Sequence, residues 1–192
     1  MNRFALALAS FASLAFATAA VAGEVEKVAV PNVGTITYEH LFDAVSEANE
    51  GLDDFMARIS PRLRAFSDET GFEACGVVAR NDEGRFAVAI GTNHSHVACV
   101  NFASKVPQGF QPTMETIHSH GGEKTFAASA TDIALLGKDA FGSRSRTSLR
   151  VTGQNLHMFS KTDYHGGAGY LATPNGAIYQ NGPKSVREVA AR

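Results

Sequence analysis

Apolar residues recur at steps of three and four from Leu41 through Val45, Ala48, Leu52, Phe55, Met56 and Ile59, the period of one face of an α-helix. This predicts an amphipathic helix over Glu39–Ile59. Ser60-Pro61 then offers a cap and a first-turn proline to a second short helix carrying Leu63 and Phe66, which fades before Gly71. The pattern changes at Glu73–Ala79 and Phe86–Ile90, apolar runs of strand length flanking Asn81-Asp82-Glu83-Gly84, a tight-turn composition. They are expected to pair antiparallel. His94–Phe102 can extend as a further strand, Pro107–Pro112 reads as a loop, and Thr113–His120 as a strand ending at Gly121-Gly122. A helix opens at Ser129, with Asp132 in its first turn, and stops near Gly142. Ser148–Thr152, Leu156–Phe159 and Gly169–Thr173 look like strands, and Pro174-Asn175-Gly176 turns the last back into Ala177–Gln180. Gly23–Tyr38 is short and mixed, an irregular N-terminal arm or an edge strand. Helices before and between strands suggest an α/β or α+β sandwich around one mixed sheet, with α/β the expected class.

At 192 residues, 44% hydrophobic and 19% charged, the chain has the composition of a globular protein and the length of one domain. Much of its apolar content lies at the start, where Arg3 precedes a run from Phe4 to Phe16 and Ala20-Val21-Ala22 ends the segment. A short basic start, an apolar centre and small residues at the exit are the pattern of a signal peptide cleaved after Ala22. The expected organisation is therefore a signal peptide over 1–22, an arm over 23–38 and one domain over 39–192. Such a chain is expected to be periplasmic or secreted, with no membrane span after cleavage. The net charge of −2, with no cluster of lysine and arginine, lacks the footprint needed to hold phosphates, so nucleic acid is not an expected partner. Export would also place Cys75 and Cys99 in an oxidising compartment, where a disulfide or two buried thiols would both be compatible with the sequence.

Histidine carries most of the chemical signal. His94-Ser-His96 and His118-Ser-His120 both have the i, i+2 spacing that puts two imidazoles on one face of a strand, within reach of one ion. The second pair has the richer context: it ends a strand, two glycines follow, and Ser129-Ala-Thr-Asp132 opens the next helix. Glu73 stands at the start of an apolar strand, where a carboxylate needs a partner and could serve as a general base. The first pair reads as a loop or rim feature, and His157 and His165 as surface residues, with Asp163-Tyr-His-Gly-Gly a loop bordering the cleft. Cys75 lies inside an apolar strand, where a thiolate nucleophile is disfavoured. The chain has no His-Glu-x-x-His, no Gly-x-Ser-x-Gly and no phosphate-binding glycine loop.

Taken together, Glu73-Ala-Cys-Gly-Val-Val, His118-Ser-His120 and Ser129-Ala-Thr-Asp132 resemble the motif set of the JAMM (MPN+/JAB) metalloproteases. The likeness spans roughly Leu41–Thr152 and is greatest to the small bacterial domains of that type, which share a Gly-Tyr-Leu-x-Thr-Pro-x-Gly segment like that at Gly169–Gly176. It implies a single mixed sheet in an α-β-α sandwich of the JAMM/MPN, cytidine-deaminase-like fold. It also implies Zn²⁺ held by His118, His120 and Asp132, Glu73 as the proton acceptor and Ser129 as a hydrogen-bond donor to the reacting oxygen. The function that follows is hydrolysis of a peptide or isopeptide amide bond in a peptide or protein substrate. The alternative is an inactive zinc-binding or protein-interaction module on the same scaffold. Two departures stand out: Gly121 replaces the proline that follows the second histidine in the family, and Gly121–Ala128 is one residue longer than the family's spacing.

Overall fold

The computed structural model describes residues 23, 25–122, 125–137, 148–150 and 156–189. Residues 1–22, where a signal peptide is expected, lie outside them. Among the described residues no helix is long and apolar enough to cross a membrane.

Eight strands form a mixed sheet in the order β1-β2-β4-β3-β5-β8-β9-β10. They are β1 (Val25–Val30), β2 (Gly34–Val45), β3 (Ala74–Arg80), β4 (Phe86–Thr92), β5 (Gln111–Ser119), β8 (Gly169–Thr173), β9 (Gly176–Gln180) and β10 (Val186–Val189). β5 and β8 run parallel, and the other neighbours are antiparallel. A separate pair joins β6 (Thr125–Ala127) to β7 (Ser148–Arg150). The helices are α1 (Leu52–Thr70), α2 (Ala130–Leu136) and α3 (Lys161–His165). This is the expected α/β class. Among the described residues one long helix covers one face in place of two helical layers: Phe55, Met56, Ile59 and Leu63 of α1 pack on Val78, Val88, Ile90, Ile117, Tyr170 and Ala172.

The first half departs most from its pattern. The segment before Tyr38 is the expected edge strand and not an irregular arm: from Val25 it enters the sheet as the β1–β2 hairpin, with β1 at the edge, turning through Asn32 and Gly34 at positive φ. The helix expected from Glu39 is strand through Val45 and begins only at Leu52. The cause is a β-bulge between His40 and Phe42, whose extra residue moves later side chains to the opposite face. Ile36 and Tyr38 therefore face away from α1 while Phe42 joins its core, and the break in alternation imitates a helical step. Pro61 opens no second helix. It sits inside α1, where Ser60 Oγ donates to the Met56 carbonyl at 2.7 Å. Gly71, at φ 81°, closes the helix by donating to the Ser67 carbonyl.

β3, β4, β5, β8 and β9 fall within a residue or two of expectation. His94–Phe102 and Leu156–Phe159 are not strands, and β10 was not anticipated. The helix from Ser129 is described through Leu136, and residues 138–142 and 151–152 of the expected elements lie outside the described residues. Cys75 and Cys99 form a disulfide with Cα atoms 6.0 Å apart, tying the irregular segment after β4 to the face of β3 opposite α1.

Candidate metal centre

Strand parity decides where the chemistry gathers. On β3, Ala74 and Val78 point to α1, so Cys75 points to the other face, and Cys75 is paired with His118 on β5. Extending that register by one residue sets Glu73 across from His120. Ser119, between the histidines, points toward α1, where its hydroxyl meets Ser67 Oγ at 2.7 Å. The two imidazoles and the Glu73 carboxyl thus share the face away from the long helix. They line a cavity of about 330 Å³ together with Cys99, Ser160 and Asp163.

The backbone around His120 is held from behind. Arg64, buried in α1, donates to the His120 carbonyl at 2.6 Å and to Asp68 at 2.8 Å. A side chain on Gly121 would lie 2.3 Å from the Gly71 carbonyl oxygen, so the chain passes the end of α1 at a distance only glycine allows.

The third member of the site is Asp163, which the sequence reading placed in a bordering loop. Ser160 caps α3 and receives the Asp163 N–H, while Asp163 Oδ2 receives the Ser160 N–H at 2.6 Å, a complete capping box. The same carboxylate reaches both imidazoles. His118 Nε2 lies 3.4 Å from Asp163 Oδ1, His120 Nε2 3.2 Å from Asp163 Oδ2, and the two Nε2 atoms 3.2 Å apart. Ligands held at 2.0–2.1 Å in a zinc tetrahedron are separated by roughly 3.3–3.4 Å; the two imidazole nitrogens are about that far apart, each touches one Asp163 oxygen, and one ligand atom from each of the three residues lies within 4.8 Å of the others. His118, His120 and Asp163 form a group able to hold a metal ion. Two neutral imidazole lone pairs this close repel unless a proton or a cation lies between them, and the donor set of two nitrogens and one carboxylate suits zinc.

Electrostatics agree with the packing. Burial pushes His118 below the ordinary histidine range, against the Asp163 hydrogen bond. Burial alone would raise the Asp163 carboxyl, but hydrogen bonds from His118 and His120 hold it well below the usual carboxylate range. Burial pushes Glu73 up to about 7, opposed by the charge of His120 and reinforced by Asp163 and Asp132.

Asp132, expected as the third ligand, is elsewhere. It is fully buried, and each of its oxygens accepts two donors: Ser95 Oγ and the His96 N–H on Oδ1, His96 Nδ1 and the Ser129 N–H on Oδ2. Those hydrogen bonds keep its carboxyl low despite burial. Ser129 caps α2 and donates to the His94 carbonyl, so it too is outside the metal group. The chain contains two Ser-x-x-Asp capping boxes, each serving a different His-Ser-His. Ser160-Lys-Thr-Asp163 was the signal available in the sequence for the missing ligand. His94 pairs with Glu39 at 2.6 Å, while His96 lines the cavity.

In comparisons with known proteins, no family model matches this chain, and no curated protein or solved structure matches it significantly.

Proposed function

We propose that this chain is an exported, zinc-dependent hydrolase that cleaves an amide bond in a peptide or protein substrate. The observation that carries the reading is the convergence of His118, His120 and Asp163, with ligand atoms within 4.8 Å of one another, in one cavity with the Glu73 carboxyl. The resemblance to the JAMM metalloproteases is kept at Glu73, His118 and His120, and its Ser-x-x-Asp part is assigned to Ser160 and Asp163. Zn²⁺ bound by these three ligands supplies a Lewis acid and brings the pKa of water toward about 7. Glu73 takes a proton from the attacking water and returns it to the leaving amine. Ser160, whose oxygen already accepts the Asp163 N–H, keeps its own hydroxyl proton to donate to the developing oxyanion. The cavity is at the small end of ligand sites, which suits a peptide terminus or a single side chain rather than a folded domain. The Cys75–Cys99 disulfide supports a periplasmic or secreted location.

The test combines metal analysis with hydrolysis of a broad peptide and isopeptide library. Wild type should carry one zinc per chain, and Glu73→Gln should keep the metal while losing about 10²–10⁴-fold in kcat. Full activity in that variant, or no cleavage by zinc-loaded wild type, would defeat the hydrolase reading. Zinc binding without cleavage would instead favour a zinc-binding module.

A further inference from the structure

His96 and Asp132 form a unit that the proposed reaction does not use. A carboxylate only accepts hydrogen bonds, so His96 Nδ1, 2.9 Å from Asp132 Oδ2, must be the protonated nitrogen. Asp132 cannot turn away, because its four hydrogen bonds include two from backbone N–H groups, those of His96 and Ser129. The imidazole cannot turn either. Phe126 stacks on it at 3.9 Å between centroids and 15° between planes, and Phe72 packs at 4.6 Å. With Nδ1 engaged and aromatic rings against it, the edge that His96 can offer to the cavity it lines with Glu73 and His120 carries Nε2. A buried carboxylate that fixes the tautomer and orientation of an imidazole is the arrangement of a proton-transfer dyad.

We propose that His96, oriented by Asp132, is the general acid that protonates the leaving amine, dividing with Glu73 the proton transfers that a single carboxyl would otherwise perform. This rests on the hydrolase reading and refines it. Water gives one proton to Glu73 as its oxygen bonds to the substrate carbonyl carbon. As the C–N bond breaks, its electron pair stays on nitrogen, which takes the proton from Nε2–H of the His96 imidazolium. The cycle ends with Glu73 protonated and His96 neutral. Exchange through solvent returns that proton to His96, so the net reaction is one amide and one water giving one acid and one amine. Asp132 is a positioning residue that holds the tautomer and the ring.

The experiment uses the full chain loaded with zinc and two substrates sharing one acyl group, an alkyl peptide amide and an activated aryl ester whose leaving group departs unprotonated. His96→Gln should lose about 100-fold or more in kcat on the amide and less than about threefold on the ester, with zinc content unchanged. Glu73→Gln should slow both substrates. Equal losses by His96→Gln on both substrates, or none on the amide, would overturn the assignment and leave the hydrolase reading standing. Absence of any cleavage by wild type would overturn both. A second measurement needs no activity and no variant: ¹⁵N–¹H correlation spectra of the wild-type imidazoles should show neutral His96 protonated on Nδ1, and an Nε2–H tautomer would overturn the proposal.

Discussion

Asp132 and Asp163 occupy the same place in the same local motif, three residues after a serine that caps a helix, yet their surroundings give them different duties. Asp132 is surrounded by donors that fill its acceptor positions, so no lone pair remains for a cation. Asp163 receives one backbone N–H and turns its carboxylate to two imidazoles. Asp163→Asn should therefore lower zinc affinity by at least about 10–100-fold, the range seen even for residues that only support a ligand, with a small change in stability. Asp132→Asn should do the reverse. It leaves buried donors badly matched, at a cost of about 1–3 kcal/mol, while the His118–His120–Asp163 group stays intact. Metal content after dialysis and thermal melting of the two variants separate these outcomes. The residues of the site were legible unevenly for a physical reason: His-x-His and Glu73 are set by strand parity, which a sequence displays directly. The choice between two identical capping motifs depends on which helix docks beside β5, and that is tertiary information.

At the level of elements, α1 acts on the site without entering it. Its buried Arg64 holds the His120 carbonyl and Ser67 holds Ser119, so the helix fixes the end of β5 from the face opposite the cavity. Arg64→Met keeps much of the apolar stem but leaves a buried carbonyl without its charged donor. The expected result is a loss of about 1.5–3 kcal/mol together with weaker zinc binding, checked by denaturant melts and metal titration. The start of α1 is secured by charge. Glu50 accepts both Nε and Nη2 of Arg58, at 2.7 and 2.8 Å, and the Glu47 N–H. The Arg58 hydrogen bond holds the Glu50 carboxyl below its ordinary value, outweighing burial. A carboxyl lowered in the folded state contributes stability above its unfolded pKa and loses it as pH falls through the folded value. Since Arg58 is 45% exposed, the pair is worth no more than about 1 kcal/mol. Glu50→Gln should remove that amount at neutral pH, and melts of wild type and variant should converge only once pH has fallen through the lowered value of the folded carboxyl, where the wild-type group also becomes protonated. The strands β3, β4, β8 and β9 were readable because each is a largely apolar run bounded by a turn. In β2 the bulge at His40–Phe42 broke the alternation that would have marked it as a strand.

The molecule as a whole divides its labour between the two faces of the sheet. One face carries α1 and the apolar core, and the other carries the irregular segment after β4, the cavity and α3. Because that second face has little regular structure of its own, its order depends on local links, and the Cys75–Cys99 disulfide is the covalent one. It closes a loop between residues 24 apart in sequence, for which chain entropy gives about 3 kcal/mol of stabilisation. Within that loop lie Ser95 and His96, which bind Asp132 and thereby dock α2. The metal group is attached differently, through β5 and α3. Replacing both cysteines with serine should then have separable effects. Thermal stability should fall by about 3 kcal/mol, and hydrogen exchange should quicken across residues 93–102 and in α2. His118, His120 and Asp163 should still take up zinc in the same stoichiometry at temperatures below the lowered transition. If zinc were lost while the chain remained folded, the two faces would not be as independent as their attachments indicate, and the disulfide would belong to the metal centre itself.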